Sequence, residues 1–205
     1  MKKGFLILAI VVAAIAVYFL FFYKHPSENK NEEKQTALQV SAHTDAFNKS
    51  FSNMMKTYYV MKDAFVNWDT AKASAAAMQL VADVPAIPIK EMKADSLLVN
   101  TALAYSFNVA GQAKIVAAEG DIEAKRVAFN TLSENLYNLL RTVKYDQNTI
   151  YHDKCPMAFR DSIAAYWLSD QREIVNPYLG NNHPKYHSGM IHCGNIEDSI
   201  GLVNN

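Results

Sequence analysis

From Leu38 onward the apolar residues recur at helical spacing. Phe47, Phe51, Met54, Tyr58, Met61 and Phe65 are separated by 4, 3, 4, 3 and 4 positions, which sets them along one face of a helix. Asp69 is placed to cap a second helix whose inward stripe reads as Ala71, Ala75, Met78 and Ala82. Pro85 and Pro88 stop it, because proline lacks the amide hydrogen and restricts the residue before it. Asp95 opens a third helix with Leu98, Ala102, Tyr105, Val109 and Ala113 on one face. Gly120 then suits a left-handed C-terminal position and Asp121 the next N-cap. The fourth stripe is Phe129, Leu132, Leu136, Leu139 and Val143. The expected fold class is all-α, an antiparallel four-helix bundle over residues 37–145 with short connections. Methionines and tyrosines on these stripes read as core packing rather than a cofactor box. His43 reads as a rim histidine.

The pattern before Leu38 is different. Residues 1–23 place Lys2 and Lys3 ahead of an uncharged run from Gly4 to Tyr23. Twenty helical residues span about 30 Å, the thickness of the hydrocarbon core of a bilayer. The run is expected to be one transmembrane helix, with the aromatics from Tyr18 to Tyr23 at the interface. A cleaved export signal is the alternative, but its apolar core is shorter, and Ala14 and Ala16 lie inside the run. Both readings export the rest of the chain. By the positive-inside rule the short lysine end stays inside. The expected location is therefore the cytoplasmic (inner) membrane, crossed once, with the C-terminal domain in the periplasm. Residues 24–36, KHPSENKNEEKQT, have the composition of a solvated tether. His25 lies within it and is assigned no role.

Composition narrows the function classes. Twenty Lys and Arg balance twenty Asp and Glu, and no basic stripe marks a nucleic-acid face. No nucleophile–base pair or paired carboxylates stand at a recognised spacing; Asp153 beside His152, and Asp161 beside Ser162, form no such arrangement. The chain is expected to bind rather than catalyse.

The chemistry gathers in residues 146–205, expected to form a turn-rich Cys/Met/His segment packed on the bundle. Pro156 biases Cys155 toward extended backbone, where residues i and i+2 point the same way, so Cys155 and Met157 can converge. Met190 and Cys193 are three apart, on one face of a helical turn. Two thiols and two thioethers suit copper as Cu(I), which selects soft sulfur ligands. His192, with His183 and His187 near it, would move the preference toward Cu(II) or zinc. The metal-site candidates are Cys155, Met157, Met190, Cys193 and His192. No Cys-x-x-Cys pair occurs, which excludes a zinc ribbon or a thioredoxin-type motif. The competing reading uses the same sulfurs: two cysteines in an exported chain form a disulfide, Cys155 to Cys193, that staples a helical interaction module with no metal. Trp167 reads as a core aromatic that pins this segment to the bundle.

The order YHDKCPMAF, AAYWLSDQREIVNPYLG and MIHCGNI resembles the family known as domain of unknown function 3347. The shared anchors are Cys155, Pro156, Met157, Ala158, Trp167, Ser169, Ile174, Asn176, Pro177, Tyr178, Gly180, Met190, Cys193 and Gly194. RVAFNTLSENLYNLL at 126–140 is similar to the last bundle helix of that family. The resemblance covers roughly residues 40–200. It implies an exported or membrane-anchored domain, of a kind also fused to periplasmic adaptors of heavy-metal efflux pumps. That association leads to two expectations, copper handling and a pump adaptor as partner. One departure stands out: NNHPKYHS separates the Asn-Pro-Tyr-x-Gly element from the methionine, where shorter members join them closely.

Overall fold

The computed structural model describes Tyr18 and residues 42–201. The chain divides into Met1–Gln39 and Val40–Asn205, and every helix and strand named below belongs to the second unit. The expected membrane anchor and tether fall outside the described residues, apart from Tyr18, which is helical and exposed. Among the described residues no helix is long and apolar enough to cross a membrane.

Four helices form: α1 (Asp45–Val66), α2 (Thr70–Asp83), α3 (Ser96–Ala118) and α4 (Ile122–Val143). Their N-termini are closed by side chains. Asp69, Asp95 and Asp121 accept from the amides of Lys72, Leu98 and Ala124, as the sequence predicts. Thr44 does the same for Phe47. Two short 3-10 turns, Val84–Ala86 and Ile89–Glu91, carry the prolines between α2 and α3. Lys144 sits in the left-handed region at the end of α4.

Each helix packs against the next in sequence. Between α1 and α4 the contact is made by rings: Tyr58 and Phe65 both lie on Phe129, at 5.5 and 4.9 Å between centroids. The α1 stripe expected from the sequence is buried throughout, and so is that of α4. The α2 stripe needs correction. Ala71, Ala75, Met78 and Ala82 lie off the buried face, and Ala73, Ala76, Ala77 and Leu80 face inward. With alanine on both faces, periodicity has little to choose between; the single large aliphatic residue, Leu80, marks the true inner face.

The all-α expectation is overturned by the C-terminal segment. It folds as a three-stranded antiparallel sheet: β1 (Ile150–Phe159), β2 (Ile163–Ser169) and β3 (Asn195–Ile200), in the order β2-β1-β3. The register pairs Cys155 with Ala165 and Asp153 with Trp167 on one side, and Lys154 with Asn195 on the other. The strands show no clean alternation because they bury consecutive residues, among them His152 and Asp153 in β1 and Trp167, Leu168 and Ser169 in β2. Pro156, within β1 just where the register becomes irregular, further weakens the strand signal.

The outer edge of β2 is docked on the bundle. The amide of Tyr166 donates to Asn130 Oδ1 at 2.8 Å, and that of Leu168 to Tyr58 Oη at 2.9 Å. Tyr58 in turn donates to Ser133 Oγ (2.7 Å), which donates to the Phe129 carbonyl (2.9 Å). A buried relay thus satisfies edge amides that would otherwise lack partners.

Candidate metal centre

The antiparallel register that sets Lys154 opposite Asn195 draws the chain just ahead of β3 alongside Cys155. Cys193 lies there, and the two Sγ atoms are 2.8 Å apart across 38 positions of sequence, with both cysteines free. Cys155 is fully buried on the central strand, whereas Cys193 is half-buried in a loop. Burial pushes the Cys193 thiol up to about 12, and the neighbouring Cys155 side chain adds to this. Cys193 therefore rests as a protonated thiol at neutral pH.

Met157 and Met190, the two thioether candidates, are half-buried and pack against the same core as Cys155 and Cys193. The turn that relates Met190 to Cys193 closes with a bond from the Cys193 amide to the Met190 carbonyl, 3.0 Å.

The histidines each make contacts of their own. His192 is exposed, and its Nδ1 lies 2.8 Å from the Ile174 carbonyl, which only an N–H at that atom can satisfy. His183 Nδ1 accepts from the amides of Lys185 and Tyr186, so it carries no proton, and its ring lies between Trp68 and Tyr186. It caps a turn. His187 is exposed, and its amide donates back to the His183 carbonyl. Among the described residues no three His, Cys, Asp or Glu side chains gather to hold a metal ion. What this region brings together is the two thiols.

Two residues of the shared motif act as the frame of the Cys193 loop. Asn176 is fully buried and uses every polar group of its side chain. Its Nδ2 donates to the Cys193 carbonyl at 2.7 Å, its Oδ1 accepts from the amides of Tyr178 and Leu179, and its own amide donates to the Ile191 carbonyl. Gly194 has φ +145°, and a Cβ there would lie 2.7 Å from the Lys154 carbonyl oxygen and 2.9 Å from the Trp167 ring. Only glycine lets the loop approach β1 so closely. Trp167 is fully buried beneath it and packs edge-on against Tyr178.

Asp153 is the residue that motif and spacing do not single out. It stands two places before Cys155 on β1, is fully buried, and neither carboxylate oxygen has a hydrogen-bond partner among the described residues. Burial pushes its carboxyl up to about 7, against the pull of His152 and Lys62. Its only sequence signal is an acidic residue close to the first cysteine.

The molecule is thus a helical domain bearing a dithiol on a small sheet. Residues 54–148 match the model of the family described as Protein of unknown function (DUF3347), the family that the sequence motifs resemble. The matched segment runs from the middle of α1 to two residues short of β1, a shorter stretch than the resemblance suggests, and both Cys155 and Cys193 lie beyond its end. No curated protein and no solved structure matches the chain.

Proposed function

We propose that this chain binds a soft metal ion, copper as Cu(I) first, as cargo on its paired sulfurs. The observation that carries the reading is the meeting of Cys155 and Cys193, 2.8 Å apart, with thioethers on the same two segments. Soft thiolate and thioether donors select Cu(I) over harder ions. Zinc is less well served, since its sites draw on four N, S or O ligands and among the described residues no three His, Cys, Asp or Glu side chains gather here. Binding requires both thiols to lose their protons. With Cys193 held near 12, loading is expected to release protons and to strengthen as pH rises.

The setting of this site is part of the proposal. The domain stands outside the cytoplasmic membrane on an N-terminal anchor and exchanges the ion with an adaptor of a heavy-metal efflux pump. That setting rests on the N-terminal hydropathy and on the family resemblance.

A second reading is favoured by the same distance. The sulfurs need to close to about 2.05 Å to form a disulfide. The loop so closed would stabilise the fold by about 4 kcal/mol in the chain-entropy treatment, and the domain would be a stapled interaction module. Titration of the full, reduced chain with Cu(I) against a competing chelator separates the two. One ion per chain, lost in Cys155→Ser with Cys193→Ser, is the expected result. No uptake, with thiols that disappear on mild oxidation and a higher melting temperature afterwards, would establish the stapled module instead.

A further inference from the structure

A cavity of about 460 Å³ opens between α1 and the start of the sheet. Its walls include Tyr59, Tyr145, Tyr151 and Met55, and its charged lining is Lys56 from α1 and Asp170 just after β2. The volume falls within the range of small-molecule sites, roughly 300–1,000 Å³. Burial raises the phenols of Tyr59 and Tyr145 above their ordinary range, so both rings remain neutral. Tyr145 and Met55 are buried, forming a floor, while Lys56 and Asp170 are exposed. Neither charge has a hydrogen-bond or ion-pair partner among the described residues. Tyr151 lies on β1 four residues before Cys155, so the cavity is separate from the thiol pair.

We propose that this cavity is a binding site for a small zwitterion, a free α-amino acid with an aromatic or apolar side chain. Two opposite charges at one aromatic-walled cavity call for a ligand that carries both. An ammonium group is served by Asp170 and by tyrosine faces, whose quadrupole attracts cations. A carboxylate is served by Lys56. The apolar side chain has Met55 and the tyrosine rings to cover it. A simple cation would leave Lys56 opposed to it, and a simple anion would meet Asp170.

The test is calorimetric titration of the full chain in detergent micelles with L-phenylalanine, phenethylamine and 3-phenylpropionate. Lys56→Ala and Asp170→Asn change exposed side chains, and an unaltered circular dichroism spectrum and melting temperature would show that both variants fold. L-Phenylalanine should bind more tightly than either half-ligand. Each variant should weaken it by about tenfold, the loss of one charged contact. Absence of phenylalanine binding at millimolar concentration would overturn the proposal. So would phenylalanine binding untouched by both variants, or phenethylamine binding as tightly as phenylalanine and indifferent to Lys56→Ala. None of these outcomes depends on whether the sulfurs take a metal.

Discussion

The helices and the sheet bury their residues by different physics. In the bundle, α1 and α4 meet mainly through rings and aliphatic chains, with a few buried polar contacts such as Tyr58 to Ser133 and Arg126 to the Phe65 carbonyl between them. In the sheet almost every close approach is conditional. An edge amide needs Tyr58, a loop carbonyl needs Asn176, and a backbone crossing needs Gly194. The bundle loses stability in proportion to volume removed; the sheet fails at single atoms. The sulfur pair belongs to the second kind of region, because its two halves come from separate segments that only these contacts bring together.

Substitutions at both ends of this contrast would sharpen it. Phe129→Ala empties the ring cluster shared with Tyr58, Phe65 and Tyr178 and should cost about 4 kcal/mol in denaturant unfolding. Asp153→Asn should act through pH. The wild-type carboxyl titrates near 7 in the fold and near 3.9 unfolded. Its protonated form therefore supports the fold fully below about pH 4, and that support is lost as pH rises through about 7. The variant should be more stable than wild type above pH 7 by about 2–4 kcal/mol, and the difference should vanish near pH 4. A pH-independent difference would show that the carboxyl has found a partner.

Gly194→Ala should cost about 2–3 kcal/mol, since both φ and the space beside Lys154 oppose a side chain. Its signature is local: the rate of Cys155–Cys193 cross-linking by a short bifunctional reagent should fall while helical circular dichroism persists. Asn176→Ala should cost about 1–3 kcal/mol by orphaning buried backbone groups, with the same loss of cross-linking. Asp95→Ala, an exposed cap on α3, should cost about 1 kcal/mol and leave the cross-linking rate unchanged. If that cap variant also separated the thiols, the division between the two regions would be wrong.

The same contrast decides what the sequence can reveal. Aspartate caps and the large apolar stripes of α1 and α4 are local facts, and they are legible at the right positions. The inner face of α2 is not, because alanine fills both sides and burial there depends on neighbours. The sheet is hidden in the sequence because strands packed on two sides bury residues in runs such as Trp167, Leu168 and Ser169 rather than alternating. At the candidate metal centre, residue chemistry nominates the two cysteines and the two methionines. It does not foresee that the His192 ring is oriented by a carbonyl eighteen residues away. Asn176 can be recognised as part of a motif, but its purpose is a contact with Cys193 that only folding creates.

The segment Asn181–Gly189 leaves the fold and returns to it at fixed gates. Asn181 is tied to Val66 at its departure and Ile191 to Asn176 at its return; between them His183 packs edge-on to Trp68, and Lys185 and Tyr186 both reach Asp161. Adding or trimming residues within the excursion would cost its contacts with Asp161 and Trp68, so a spectroscopic label beside the sulfur pair is better attached at an exposed side chain such as Ser188 than inserted into the backbone.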